Sequence, residues 1–324
     1  LGIYLSSVYL GLSLGPFLGG ILTHHFGWRS IFLINVPLGL IVIVLGLGLK
    51  GEWVGAKGEK FDLIGSIVLS VALIAMMYGF STLPSLNGVY LIIVGIIGIF
   101  LFVGIESKVK NPVFNIKIFK NNRMFTLSSV VSLINYSATF AVAFLLSLYL
   151  QYIKGLTPQS AGLIIASQPI IMSISSPFTG RISDKVEPKI VVTIGMIIIT
   201  LSLFFFTFLS KGTRLSLIIF DFIFFGIGFS LFASPNTNAI MSSVEKRFYG
   251  IASATVAIMR MIGQMLSMGI AMFLFTIYMG KARITPDQFP NFLKSMKIAF
   301  IIFTFLCLVD IFISLARGEV KKQE

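Results

Sequence analysis

Uninterrupted apolar stretches of about twenty residues recur along this chain, and each is as long as a helix must be to cross the hydrocarbon core of a bilayer. We read ten: 1–22, 31–49, 63–82, 88–106, 124–150, 159–178, 189–209, 214–235, 250–279 and 295–316. The runs are continuous rather than alternating, which excludes the strands of a membrane barrel. The expected fold class is therefore all-α, a polytopic helical membrane protein. Composition agrees: charged residues are 11% of the chain and mean hydropathy is +0.97, against about 25% charge in a soluble domain. Gly and Pro inside several spans do not argue against them, because neighbouring helices satisfy the freed backbone groups.

Lys and Arg set the orientation. Numbering the connections alternately places sixteen of the 25 on one side, in 50–62, 107–123, 179–189, 236–249 and the tail from 317, and eight on the other, with Arg260 left inside a span. The positive-inside rule makes the richer side cytoplasmic, so the C-terminus is expected in the cytoplasm and the membrane is expected to be the plasma membrane. The net charge of +13 then reflects topology and attraction to anionic lipid. Nucleic acid is not an expected partner, since no basic patch is interleaved with stacking aromatics. Chain position 1 is Leu, already inside a span with no basic leader, so the sequence reads as the continuation of a longer one. The lone Cys307 leaves no intrachain disulfide.

The segment GLSLGPFLGG at 11–20 is rich in poor helix formers. Gly11, Gly15 and Gly19 recur every four residues and make one bare helix face, while Pro16 breaks a backbone hydrogen bond and bends the helix near Leu12. Such a strip lets two backbones approach in lipid. It serves either static packing or a surface on which another helix rocks.

GLSLGPFLGG, which includes Gly20, resembles the antiporter motif in the fifth helix of drug:proton antiporters of the major facilitator superfamily. GWRSIFLINVPLGL at 27–40 resembles the start of the sixth helix in the fourteen-helix branch of that family. Further matches keep the family's order: FDLIGS at 61–66, Glu106 with NPVFNIKIFKNN at 111–122, LYLQYIKGLTPQSAGL at 148–163, and GRISDKVEPK at 180–189. The resemblance covers most of the chain. It implies a major-facilitator-type fold lacking the first four helices. Residues 1–49 would be the last two helices of an N-terminal bundle, 50–110 a central extra helix pair and 111–123 a cytoplasmic interfacial linker. Residues 124–324 would be a C-terminal six-helix bundle with a short tail. It also implies that Arg181 and Asp184 belong to a loop whose charge contacts lock one of two alternating-access states. The bland alternative for that loop is an ordinary short basic connection.

Ionisable residues inside spans are functional candidates by default. Arg260 lies about 15 Å deep and Asp221 about 10 Å deep from the opposite side, by their positions in their spans. They are expected at nearly one level and as a buried pair if their helices touch. Asp310 sits in the last span. Asp221, Arg260 and Asp310 are the proton-coupling candidates, Asp221 first. Asn135, Tyr136, Gln151, Gln168 and Gln264 are candidates for a substrate cavity, or else for interhelical hydrogen bonds. Pro169 and Pro177 mark an expected broken or bent helix. Residues 111–122 are expected to lie along the inner surface with their apolar side in the lipid boundary.

No metal site and no cofactor are expected: His24 and His25 are neighbours with no further ligand near, no phosphate-binding glycine loop occurs, and no catalytic constellation points to an enzyme. The expected partners are a small amphipathic or cationic substrate, protons and the bilayer, with the protein monomeric. The first reading is a proton-coupled multidrug or small-molecule efflux antiporter working by alternating access. A truncated, non-transporting remnant or scaffold is the second, and a proton symporter the third.

Overall fold

The computed structural model describes residues 2–48, 62–83, 85–109, 112, 116–245, 248–280 and 284–317. Among them the secondary structure is helical throughout. Its helices are α1 (Gly2–Phe26), α2 (Ser30–Leu33), α3 (Asn35–Leu47), α4 (Leu63–Thr82), α5 (Leu86–Glu106), α6 (Ile116–Asn121) and α7 (Arg123–Thr139). There follow α8 (Ala141–Leu148), α9 (Pro158–Lys185), α10 (Pro188–Phe206), α11 (Leu215–Ser242), α12 (Tyr249–Met279) and α13 (Phe289–Leu315). Nine stretches of these are long and apolar enough to cross a membrane, and α1 adds 25 residues of helix at the start.

The helix starts are chemically specified. Asp62 Oδ1, Ser85 Oγ, Asn122 Oδ1 and Thr157 Oγ1 each accept a hydrogen bond from the backbone N–H three residues on, at 2.9 to 3.2 Å, as N-caps do. The end of α12 is equally definite, since Gly280 takes φ +62°, a conformation that other residues adopt at a penalty.

Helices α7 to α13 share one core. Phe206 of α10 meets Phe222 and Phe225 of α11 and Phe300 of α13 at ring-centroid separations of 5.7, 6.4 and 5.4 Å. All four rings are buried. Elsewhere the helices meet through residues with little or no side chain. A Cβ on Gly195 would lie 2.7 Å from the Gly228 carbonyl oxygen, and one on Gly228 would lie 2.9 Å from that of Gly195, so α10 and α11 touch backbone to backbone. Gly79, Gly88 and Gly95 do the same between α4 and α5, and Gly269 of α12 lies against the Phe80 ring of α4. Many of the remaining large apolar side chains are exposed, including Leu45, Leu47 and Phe100, as acyl chains would have them.

Several expectations change. The helix spanning 159–178 runs on to Lys185, so the segment at 179–189 is not a loop where Arg181 stands. Arg181 and Asp184 lie on the last turns of α9. Arg181 is exposed, and the Asp184 side chain is outside the described residues. The helix stops because Glu187 precedes Pro188, which disfavours helical backbone; Val186 and Glu187 have ψ of 145° and 124°. Pro169 and Pro177 sit inside a continuous α9 rather than at breaks. The α11 helix continues to Ser242, beyond the expected end at 235. Between α7 and α8 the backbone stays helical at Phe140 (φ −66°, ψ −42°), and the Ala141 N–H turns to Ser267 Oγ of α12 at 2.9 Å.

In the interfacial segment, residues 113–115 are outside the described ones, but Ile118 and Phe119 pack on protein rather than lipid. Phe119 stacks edge-on with buried Phe125 at 4.9 Å, beside Ile240 and Val244.

Gly228→Val is expected to force α10 and α11 apart and destabilise the protein by about 1–3 kcal/mol, the usual range for overpacking. Gly104→Val, where a Cβ meets nothing within 4 Å, is expected to stay within about 0.5 kcal/mol. Thermal unfolding in detergent measures both.

Candidate functional site

Three helices converge on Tyr136. Its ring packs edge-on against Phe229 and Phe232 of α11 at 5.7 and 6.2 Å, and its hydroxyl takes a hydrogen bond from Arg260 of α12. The approach of α12 is made possible by Gly263, whose Cβ would lie 2.6 Å from the Leu133 carbonyl oxygen and 2.8 Å from Tyr136 Cβ. Arg260 is exposed and Gln264, one turn on, is half-buried. A cation and a phenol thus sit beside an aromatic wall, one turn before Phe140. That combination can hold a planar amphipathic molecule by stacking, hydrogen bonds and charge.

The expected Asp221–Arg260 pair does not form. Asp221 faces α10, where Ser202 Oγ donates to its Oδ1 at 2.5 Å and to its backbone oxygen at 3.1 Å, while Arg260 is committed to Tyr136. The two residues turn to different neighbours. Asp221 lines instead a groove of about 900 Å³ between α10 and α11, walled by Phe205, Phe208, Leu217 and Phe224 with Arg214 at its edge.

Asn135 also turns away from the expected cavity. It is fully buried and faces Asp310 of α13. One residue of helix, about 100° of rotation, separates this inward amide from Tyr136. Gln151 lies in a wide turn at Tyr149–Ile153 and spends its amide on Ser147 of the same helix, donating to Oγ at 2.9 Å. Gln168 reaches Met172 Sδ at 3.8 Å. Neither Gln151 nor Gln168 joins the Tyr136 group.

The glycine ridge is corrected in the same way. Cβ atoms on Gly11, Gly15 and Gly19 would meet nothing within 4 Å. The face of α1 that touches protein is the adjacent one. Gly20 lies against the backbone of α9, with a Cβ 2.8 Å from the Pro158 carbonyl oxygen and 3.1 Å from Gln159 Cα, and Gly162 of α9 lies against the Pro16 carbonyl. The proline matters because its own carbonyl is the contact. Spacing identified the bare face; it could not say which flank of it another helix would occupy.

Sequence reasoning also missed Arg317, which was counted as part of a cytoplasmic tail. It is folded back into the bundle and only 2% exposed. Its Nη1 donates to Ser128 Oγ of α7 at 3.2 Å and to Asn236 Oδ1 of α11 at 2.5 Å, and its Nη2 donates to Ser314 Oγ of α13 at 2.5 Å. Asn236 in turn donates to Ser132 Oγ at 2.8 Å, and Ser314 pairs with Thr193 of α10 at 3.0 Å. One guanidinium therefore ties three helices directly and a fourth through a hydroxyl. Burial pulls Arg317 down to about 10, with the Asp310 carboxylate acting in the opposite direction, so it remains a cation at neutral pH. The signal available in the sequence was weak: an Arg two residues past a span, with Asp310 seven residues before it.

Arg317→Ala is expected to destabilise the protein by about 3–5 kcal/mol, the range for stranding one partner of a buried charge pair. Arg317→Ala/Asp310→Asn is expected to recover part of that, since no lone charge is left. Denaturation midpoints of both variants in detergent measure the difference.

A family model described as the Major Facilitator Superfamily matches residues 1–268 and 128–323. Among characterised relatives, the riboflavin transporter RibZ of Clostridioides difficile is 32% identical over 262 residues, covering 80% of this chain and 57% of the relative. The multidrug resistance protein Stp of Mycobacterium tuberculosis is 28% identical over 81% of this chain and 50% of its own length. The lincomycin resistance protein LmrB of Bacillus subtilis is 27% identical over 73% and 51%. The chain thus spans about half the length of the curated relatives it matches. A bacterial homologue of the human lysosomal transporter Spinster, solved inward-facing and occupied, shares the fold with a TM-score of 0.51 at 14% identity, over 79% of this chain and 63% of that one. With its all-helical bundle and its row of bilayer-length spans, the chain belongs to the Major Facilitator Superfamily of membrane transporters.

Proposed function

We propose that this chain is the larger part of a proton-coupled efflux antiporter that moves a small amphipathic or cationic compound out of the cell by alternating access. The observation that carries the reading is the α1–α9 seam. Pro16 and Gly20 meet Pro158, Gln159 and Gly162 backbone to backbone, a smooth contact at those points. Two helices joined this way can rock against each other, which is the motion alternating access requires. Under this reading 1–49 belongs to one moving half, 124–324 to the other, and 50–110 to an added pair joined through the segment 111–123. Arg181 and Asp184, near the end of α9, lie where contacts that bias one state would act.

Tyr136, Arg260 and Gln264 are the substrate-facing group, backed by Phe229. The names of the relatives support small organic molecules as cargo, including planar aromatic ones. Asp221 and Asp310 remain the carboxylates able to carry a proton. The excess of Lys and Arg supports a cytoplasmic C-terminus, and the efflux reading supports the plasma membrane and a monomeric carrier.

The full-length protein in everted vesicles, loaded with a fluorescent lipophilic cation under an imposed pH gradient, tests this. Transport is expected to follow the gradient and collapse with a protonophore. Gly20→Val and Gly162→Val are expected to lower the rate tenfold or more with normal membrane insertion, whereas Gly46→Val, with nothing within 4 Å, keeps it. Wild-type rates in both seam variants would rule out a moving seam. Equal rates for wild type and Asp221→Asn would remove Asp221 from the coupling.

A further inference from the structure

Asp310 is wholly buried on α13, two turns inside Arg317. The Asn135 side chain faces it from α7, equally buried. Asn135 is the hydrogen-bonding side chain within reach of the carboxylate, yet neither carboxylate oxygen, neither amide atom of Asn135, nor Arg317 Nε meets a partner at full hydrogen-bond geometry. Buried polar atoms normally find partners, so five such atoms around one carboxylate mark a place built for something other than static packing. We propose that Asp310 and Asn135 form a proton-binding site inside the bundle, and that Arg317 is its removable plug.

The surroundings restrict what can answer the Asp310 charge. Its titratable neighbours are Cys307 on its own helix and Arg317, two residues past that helix's end. From α7 the neutral Asn135 faces it, and the groups that hold Arg317, Ser128 of α7 and Asn236 of α11 with Ser132 behind it, are neutral too. On α10 the neutral Thr193 pairs with Ser314. Arg317 is therefore the counter-charge for the ionised state. A proton on Asp310 cancels that attraction, and a buried guanidinium without a counter-charge is strongly unfavourable.

Arg317 is placed to respond. It follows the last residue of α13, Leu315, by two positions, so it can swing out without unwinding the helix. Leaving releases Ser128, Asn236 and Ser314 together, which unclips α7, α11 and α13 at one end of the bundle. Proton and guanidinium are thus alternative occupants of one site. Proton uptake there loosens the end at which Asn122 of α7 also donates to the Ser243 carbonyl after α11. The site's use as a coupling step rests on the exporter reading above; the site itself does not.

Infrared difference spectroscopy of the full-length protein in lipid nanodiscs, titrated with acid and without substrate, tests the site. The wild type is expected to gain a protonated-carboxyl band that Asp310→Asn abolishes. In Arg317→Gln the band is expected to appear at least one pH unit higher, a tenfold change in proton affinity, because a nearby cation favours the ionised form by that order. Arg317→Lys, which keeps the charge without the forked contacts, is expected to fold and to shift the midpoint less. It carries the test, through a midpoint that moves at all, if Arg317→Gln does not fold. A band that persists in Asp310→Asn, or a midpoint unmoved in both Arg317 variants, overturns the proposal. Flux under a pH gradient is read on the same proteins. A band lost in Asp310→Asn with gradient-driven flux unchanged overturns the coupling step. A wild type that moves no substrate counts against the exporter reading, while the infrared titration still decides the site.

Discussion

Helices in lipid are not driven together by the hydrophobic effect, because the acyl chains are as apolar as the side chains. What holds this bundle is the close approach of backbones where side chains are missing. Gly195 and Gly228 face each other across α10 and α11, Gly226 lies against the Gln168 carbonyl of α9, Gly263 against Leu133 of α7, and Gly20 and Gly162 join α1 to α9. Each contact brings many atom pairs into dispersion range and places the aromatic core around Phe206, Phe222 and Phe300 at a fixed spacing. The same device makes the α1–α9 contact, where Gly20 and Gly162 meet backbone.

Polar groups supply the second adhesive, and they are not spread evenly. Arg317, Asn236, Ser128, Ser314 and Thr193 gather at one end of the bundle. At the other end the Lys154 ammonium donates to the Lys211 and Thr213 carbonyls and the Tyr149 hydroxyl to that of Ser210. Burial holds the Lys154 ammonium below its ordinary value. Between these layers, among the described residues, Asn135, Asp310 and Asp221 lie in a core otherwise lined by apolar side chains and small hydroxyls such as Thr200, Ser230 and Ser267. A polar seal at each end and a few ionisable groups between them is the arrangement a carrier needs if water is to enter from one side at a time.

The two buried carboxylates differ in kind. Asp221 shares its charge with one hydroxyl and borders a groove walled by phenylalanines. Asp310 lies inside the bundle, under an arginine that the chain folds back to reach it. In sequence both are single acids in apolar runs, and spacing ranks them only by depth. Depth follows from counting residues at 1.5 Å each; direction depends on the packing of neighbours.

That difference sets what was legible. The all-helical membrane class and the number and approximate positions of the spans follow from apolar run lengths and the fixed rise of a helix. The bare face at Gly11, Gly15 and Gly19 follows from the period of four. Helix ends were less legible, because a helix keeps its hydrogen bonds beyond the bilayer until something such as Pro188 stops it, and so α9 carries Arg181 past the expected boundary. Only the tertiary structure decided that Pro16 and Gly20, rather than the neighbouring strip, meet α9; that Asn135 turns to Asp310 while Tyr136 turns to Arg260; and that Arg317 leaves the tail for the core. The physical reason is that a sequence fixes how far along an axis each group lies, whereas the azimuth at which two helices meet is set by the shapes and charges of both together.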